Sequence, residues 1–326
     1  MRKKLLDYIV CPSCKSKLEL EGEITGSAHV VKGRLKCAGC ANSYEIKDGI
    51  PRFVPIKLDS VKSRTAKSFG YEWRRFGEID RKNENEFLSY LDPLESKDLQ
   101  GKVVLDAGCG MGKFAFLAGR YQAKDVIAID FSSSVEMAYK NTSQLDNVHV
   151  IQADIYNLPL KKEFDFIYSI GVLHHLPEPE KGFSTLAGLV KESGKIFAWV
   201  YGKEGNWLYL TFAEPLRKFL TSWLPLPVNE FLAFILAGIL WLVICLVYVP
   251  LTYIGLSRLL PLSEYFLYFR RLGFRIFWAT VLDKMIPPIS NYYSQNEFRK
   301  WFERAGLKEI YIGFRNSNSW KGFGTK

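Results

Sequence analysis

Four cysteines stand in two pairs, Cys11-Pro-Ser-Cys14 and Cys37-Ala-Gly-Cys40. Each pair can set two thiolates on one ion, and four thiolates close a tetrahedral Zn2+ site of the structural kind. His29 is then surplus to the ligand set. A second group starts at Val103 and reads V-V-L-D-A-G-C-G-M-G. Asp106 ends a short apolar run, and Gly108, Gly110 and Gly112 turn the chain toward a helix. Glycines so spaced let backbone approach a ligand where a Cβ would collide, and the helix start beyond them offers free N–H groups to an anion. Dinucleotide folds place G-x-G-x-x-G here, whereas this chain has G-x-G-x-G with an acid two residues ahead. Asp130 follows as an acid able to accept both ribose hydroxyls of a nucleoside, with Phe131 beside it to cover a base. Asp154 and Ile155 suit the amino group and the ring of adenine. His174-His175 is a pair whose imidazoles titrate near pH 6.5, so either fits a general base on an acceptor. The alternative for that pair is a packed structural role, and for Cys109 a small packed residue in the turn.

The elements that must position these residues alternate. Strands are expected at Val103–Asp106, Asp125–Asp130, Val148–Gln152, Phe164–Ile170 and Gly194–Val200, with helices at Met111–Tyr121 and from Ser132 to about Asn141. Alternation of this kind makes a doubly wound parallel sheet with ligands at the carboxyl ends of its strands. Lys17–Glu21 and His29–Leu35 suit the hairpin of a ribbon too small to hold a core without metal. Pro55–Arg64 reads as a linker and Phe87–Leu94 as a short helix. Ser68–Phe76, with four aromatics among three charges, is either a lid over a cofactor or a packing surface.

Two resemblances extend this. Leu5–Phe53, with both cysteine pairs and the ending D-G-I-P-R-F, resembles the small zinc-ribbon activators of tRNA and protein methyltransferases. Residues 101–202 resemble class I S-adenosylmethionine (SAM)-dependent methyltransferases of the type 11-like kind. The motifs L-D-A-G-C-G-M-G, an acid ending strand two, A-D-I-Y-N-L-P and F-D-F-I-Y-S-I-G-V-L-H-H-L follow in order. Tyr292–Leu307 resembles that family's carboxy-terminal S-x-x-E-x-x-x-W-F-x-x-A-G-F element, with Leu307 in place of Phe, and Ser294 with Glu297 forms a capping box. The resemblance implies an α/β Rossmann-like fold with a seven-stranded, mostly parallel sheet, an amino-terminal zinc ribbon and a hydrophobic helical insertion. It implies SAM, with Asp106, Gly108, Gly110 and Gly112 at the methionine part, Asp130 and Phe131 at the ribose and base, Asp154 and Ile155 at the adenine, and Ile170 and Gly171 near the sulfonium. Tyr71, Trp73, Asp283 and Tyr292 are expected to face the acceptor. The domains expected are a ribbon at 1–56, a linker and aromatic lid at 57–100, a methyltransferase domain at 101–204 and 290–326, and an insertion at 205–289.

The net charge is +10, and the basic excess lies in residues 1–68 and 258–326, while 69–257 are net acidic. Basic flanks suit RNA or an anionic membrane face. No secretory signal is legible, so the catalytic part is expected in the cytoplasm with its cysteines reduced. Phe231 to Ser257 carries no charged residue, longer than the ~20 residues that cross a bilayer. Both flanks carry cations, Arg217 and Lys218 before and Arg258, Arg270, Arg271 and Arg275 after, and both lead into one sheet. This predicts a re-entrant or interfacial hairpin bent near Pro250 and Gly255, with Trp241, Tyr248 and Tyr253 at headgroup depth, and an enzyme peripheral or monotopic at the cytoplasmic membrane face. A buried helical subdomain or an oligomer interface is the other reading. An apolar insertion over the acceptor pocket leads to the expectation of an amphiphilic or lipid-linked acceptor, such as an isoprenoid, quinone or glycolipid precursor. A tRNA methyltransferase using the ribbon as platform is the first alternative, and a non-catalytic SAM-binding subunit the second.

Overall fold

The computed structural model describes residues 1–326 apart from 26–28, 55–59, 80–81, 163, 222–223 and 257–258. The ribbon contributes β1 (Leu18–Thr25), β2 (His29–Cys37), β3 (Ser43–Lys47) and β4 (Ile50–Arg52), an antiparallel series. The core supplies β5 (Val103–Ala107), β6 (Asp125–Asp130), β7 (Val148–Gln152), β8 (Phe164–Ile170), β9 (Val190–Tyr201), β10 (Lys308–Arg315) and β11 (Ser319–Thr325). Their order is β7-β6-β5-β8-β9-β11-β10, parallel through β9, with β11 and β10 antiparallel. This is the mixed, mostly parallel Rossmann-like sheet that the resemblance implies. β5 is buried along its whole length, and β6 from Asp125 to Ile129, as strands with both faces covered must be.

The ribbon is not a separate bead. β4 pairs in parallel with β7 through Arg52 and Gln152, so one 11-stranded sheet runs through both parts. The amide of Phe53 donates to the carbonyl of Gln152 at 2.8 Å and that of Val10 to Pro159 at 3.0 Å. Tyr8 donates to Asp125 at 2.7 Å beneath this seam.

Of the linker expected at Pro55–Arg64, residues 55–59 lie outside the described residues and 60–64 instead open a helix, α1 (Ser60–Phe76), followed by α2 (Lys82–Leu91), α3 (Lys113–Arg120), α4 (Val135–Thr142) and α5 (Pro179–Ala187). Gly70 sits inside α1 because a Cβ there would lie 2.5 Å from the Ser133 hydroxyl. The insertion holds α6 (Glu214–Leu220), α7 (Leu226–Val243), α8 (Val249–Tyr253), α9 (Ser263–Leu272) and α10 (Phe274–Met285), and α11 (Gln295–Arg304) returns to the sheet. The expected capping box is there: the Ser294 hydroxyl accepts from the Glu297 amide at 3.3 Å, and Glu297 accepts from the Ser294 amide at 2.7 Å.

The insertion corrects two expectations. Pro250 does not bend the chain. Leu226–Tyr253 is one continuous 28-residue helix, and a π-turn at Ile244–Tyr248 joins α7 to α8 just ahead of the proline. Such a turn shifts the hydrogen-bond register where a proline lacks its N–H. The chain leaves the helix at Gly255, at φ +75°. Arg217 is no headgroup-facing cation either. It is buried, held by Glu214 through two 2.7 Å bonds and by the Pro287 carbonyl at 2.6 Å. Arg258 lies outside the described residues. Ala233, Ala237 and Ile244 pack on Phe277, Val281 and Leu282 of α10. The rest of the long helix is bare: Phe231, Ile239, Leu242 and Leu246 are each more than half exposed.

Candidate functional site

The four cysteine Sγ atoms lie within 4.8 Å of one another, with Cys11–Cys40 at 3.7 Å and Cys14–Cys37 at 3.2 Å. A tetrahedron with Zn–S bonds of about 2.3 Å has edges of about 3.8 Å, so the cluster fits one tetrahedral ion. Gly39 donates its amide to Cys37 Sγ at 3.3 Å, the second-layer bond that steadies a thiolate. His29 stands apart, at the start of β2.

The glycine turn, the ends of β6, β7 and β8, and α1, α9 and α10 enclose a cavity of about 490 Å³. That is within the ~300–1,000 Å³ of small-molecule sites. Of the residues expected to hold SAM, Gly108, Gly110, Asp130 and Phe131 line it, as do Asp154, Ile155, Ile170 and Gly171. Asp106 and Gly112 do not. Asp106 lies beneath the turn, where burial pushes its carboxyl up to about 8, and its Oδ2 has no hydrogen-bond partner. The glycines are also required by the protein itself. A Cβ on Gly108 would lie 2.2 Å from Val172, and one on Gly112 2.9 Å from the Ala138 backbone. Gly110 faces Trp73, whose indole nitrogen would be 2.9 Å from an added Cβ. The turn and the acids at the strand ends form a cradle that fits SAM. Asp130 is already organised: it accepts from the amides of Gly110 at 2.9 Å and Ser132 at 2.8 Å and from the Ser132 hydroxyl at 2.7 Å.

Sequence reasoning missed Lys62. From α1 its ammonium reaches Asp154 Oδ2 at 2.7 Å, while Asp154 Oδ1 accepts from the Tyr156 amide at 3.0 Å. It thus occupies one oxygen of the carboxylate expected to meet an adenine amino group. Partly exposed ion pairs contribute about 0.2–1 kcal/mol, so Lys62→Ala is expected to tighten S-adenosylhomocysteine (SAH) binding roughly two- to fivefold in a calorimetric titration. Weaker binding would mean that Lys62 holds the cofactor.

The four residues expected at the acceptor divide. Trp73 and Asp283 line the cavity. Tyr71 does not; its hydroxyl donates to Glu230 of α7, which also holds Arg75 at 2.7 Å, so it ties the lid helix to the insertion. Tyr292 lies behind Tyr201, their rings 5.3 Å apart.

The histidines divide too. His174 is fully buried against Tyr201, ring centroids 3.9 Å apart, and lines no part of the cavity. His175 lines it, with Nδ1 2.7 Å from the Ile289 carbonyl. That carbonyl can only accept, so Nδ1 carries the proton and Nε2, which has no partner, keeps its lone pair. Burial holds the His175 pKa below its usual value, so the ring is neutral at pH 7. If Nε2 takes a proton from the acceptor, His175→Gln is expected to lower kcat about 10²-fold or more, and the acid limb of the wild-type profile should fall below pH 6.5. A loss in stability with kcat kept would assign His175 to packing.

Comparison with known proteins agrees with this geometry. Residues 105–198 match the family described as a methyltransferase domain, and residues 2–49 match the Trm112p-like protein family. The chain is 36% identical over 107 residues to a ribosomal protein L11 methyltransferase of Vibrio vulnificus, covering 32% of this chain and 36% of that one. It is 33% identical over 104 residues to a tRNA U34 carboxymethyltransferase of Ruthia magnifica, covering 31% and 33%. The chain thus spans about a third of the length of these curated relatives. Among solved structures, magnesium protoporphyrin IX methyltransferase from Synechocystis PCC 6803 with bound SAH aligns at 17% identity and a TM-score of 0.46, over 82% of this chain and 98% of that one. With the strand order, the glycine turn and both family matches on the page, the chain carries a Trm112p-like domain at residues 2–49 and a SAM-dependent methyltransferase domain that includes residues 105–198.

Proposed function

We propose that the chain is a SAM-dependent methyltransferase acting on tRNA, with its activator-like ribbon built into the same polypeptide. The observation that carries this is the fusion: the Trm112p-like domain, residues 2–49, is followed by β4, which joins the methyltransferase sheet. Relatives named tRNA U34 carboxymethyltransferase, from Ruthia, Pseudoalteromonas and Idiomarina, support it. These findings overturn the lipid-linked acceptor expected from the insertion, and with it the lower rank given to nucleic acid. The cysteine cluster is inferred to hold zinc, since four thiolates in a closed site select that ion. SAM would supply a methyl group on a sulfonium, and the chain's own part is alignment and exclusion of water by the lid helix. The test is transfer of labelled methyl from SAM to bulk tRNA and, separately, to a membrane lipid extract. Label in tRNA, absent with Asp130→Ala, supports the reading; label confined to the lipid sinks it.

The long helix bears on place rather than on acceptor. Phe231, Ile239, Leu242 and Leu246 leave one side of it apolar and exposed, the kind of surface that marks a membrane or partner contact. Both its flanks return to one sheet, through β9 and β11, so a lone crossing is not available. We infer that it lies in the plane of the cytoplasmic membrane face. Liposome flotation is expected for wild type and to fall at least tenfold with Phe231→Asp, Ile239→Asp and Leu246→Asp combined. A wild-type protein that stays with the soluble fraction would end this inference.

A further inference from the structure

The insertion holds a helix whose sides are the wrong way round for water. Residues 207–220 form one continuous helix that ends in α6. Surface helices of soluble domains turn apolar residues inward and charges outward. Here Glu214 and Arg217 are buried, and so is Asn206 just ahead of the helix. Trp207, Phe212, Leu216 and Phe219 are each more than half exposed. The bare side chains run on through Leu220, Leu224 and Val228 to Phe231 of α7. Asn229 ties the turn between the two helices, its Nδ2 donating to the carbonyls of Thr221 at 2.9 Å and Leu224 at 3.2 Å. Two cations stand at the edge of the bare face. Arg270 and Arg271 of α9 are exposed, and the Arg270 guanidinium lies 5.4 Å from the centre of the Trp241 ring of α7. We propose that residues 207–220 enter the membrane surface together with the long helix, and that Arg270 and Arg271 receive anionic lipid headgroups there. The proposal rests on the membrane inference above.

Charge decides the occupant. Among the described residues neither arginine is in an ion pair. The acids of this region are engaged elsewhere: Glu264 accepts from the Ser317 hydroxyl, Glu78 from Arg275 and Glu230 from Arg75. Trp241 packs on Phe274 and Phe277, ring centroids 5.7 and 5.9 Å apart, so it marks the border between the packed and the bare side of the long helix. A guanidinium held on that ring keeps its stem on apolar surface and its head at the depth of lipid phosphates. A second copy of the chain fits less well. A two-fold interface sets this patch against itself, and between residues 205 and 256 the only acids are Glu214 and Glu230. Both are already held by arginines, so the patch would bury its apolar side chains and leave Arg270 and Arg271 without an anion. RNA phosphate would suit the arginines but leave Leu216, Ile239 and Leu246 in water.

The test is sedimentation of the full chain with vesicles of phosphatidylcholine alone and of phosphatidylcholine mixed with phosphatidylglycerol. Each cation at an anionic surface gains about fivefold in binding, so the wild type is expected to hold the mixed vesicles about 25-fold more tightly. Arg270→Ala with Arg271→Ala should erase that preference and leave binding to phosphatidylcholine within about threefold of wild type. Arg270→Lys with Arg271→Lys, which keeps both charges, should keep the preference. Phe212→Asp with Phe219→Asp should weaken binding to both vesicles about tenfold or more. SAH affinity within about twofold of wild type shows that each variant is folded; should the aspartate pair fail this, Phe212→Ser with Phe219→Ser takes its place. Equal binding to the two vesicles, or a preference that survives the loss of both arginines, overturns the headgroup site and leaves the membrane inference standing. Phenylalanine variants that bind as wild type does overturn the part given to residues 207–220. A chain that binds neither vesicle overturns both inferences, and a dimer dissolved by Phe212→Asp with Phe219→Asp would then assign the face to a second copy. Bulk tRNA that loses affinity with the arginine pair, while the vesicles do not, would assign the arginines to RNA and overturn the headgroup site.

Discussion

Asp130→Ala is expected to weaken SAH binding about 100-fold or more while leaving the sheet folded. The carboxylate accepts three hydrogen bonds, from the Gly110 amide, the Ser132 amide and the Ser132 hydroxyl. Bonds to a charged group contribute about 1.5–3 kcal/mol each. Alanine therefore frees the glycine turn from the end of β6 and removes the acceptor expected to meet the ribose hydroxyls. Two such losses already exceed the roughly 2.7 kcal/mol that corresponds to 100-fold. Asp130→Asn keeps the shape and one acceptor, so a loss nearer tenfold is expected. Titration calorimetry with SAH reads both variants, and a thermal melt confirms that each is folded. An alanine variant within threefold of wild type would remove Asp130 from the cofactor site and leave it a turn acid.

The strand ends were legible because buried parallel strands read as apolar runs closed by an acid or a glycine. Asp125–Asp130, Val148–Gln152 and Phe164–Ile170 have the expected limits to the residue. The cysteine pairs were legible because metal chemistry fixes their spacing. What escaped has physical causes. α1 mixes aromatics, charges and an internal glycine, since it faces the cavity on one side and the insertion on another, so no clean apolar face marks it. Lys62 and Glu72 escaped with it. The join of β4 to β7 is a main-chain contact and leaves no side-chain signature. Glu214 stands three residues before Arg217, a spacing that announces their ion pair; reading Arg217 only as a flank cation overlooked it. The lipid acceptor was inferred from an apolar insertion, yet an exposed apolar helix says where a protein rests. What enters the cavity is set by its own lining, where Glu72, Asp283 and His175 stand among the rings.

Removing the metal should have the second large effect, and it should reach beyond the ribbon. Structural zinc contributes an apparent ~10–16 kcal/mol to small domains at pH 7, and residues 1–53 hold only a thin core of their own around Leu18, Val30, Leu35 and Ile46. Chelation, or Cys11→Ser with Cys40→Ser, is therefore expected to unfold that segment. Its amides should lose protection in hydrogen exchange, and its chain should become open to protease. The cofactor site should feel the loss through one short relay. Arg52 at the end of the ribbon donates to Gln152 Oε1 at 3.0 Å. Gln152 Nε2 in turn donates to the carbonyls of Phe131 at 3.1 Å and Ser132 at 3.3 Å, next to Asp130. Loss of the first bond frees Gln152, and one hydrogen bond to a charged group contributes about 1.5–3 kcal/mol. Only part of that reaches Asp130 through Gln152, so SAH affinity should fall about five- to tenfold, while α3, β5 and β6 keep their protection. Arg52→Ala in the metal-loaded chain isolates the relay: it should reproduce the loss of affinity with the ribbon still folded. A ribbon that stays protected after its metal is shown to be gone would mean that its seam with β7, and not the ion, holds it.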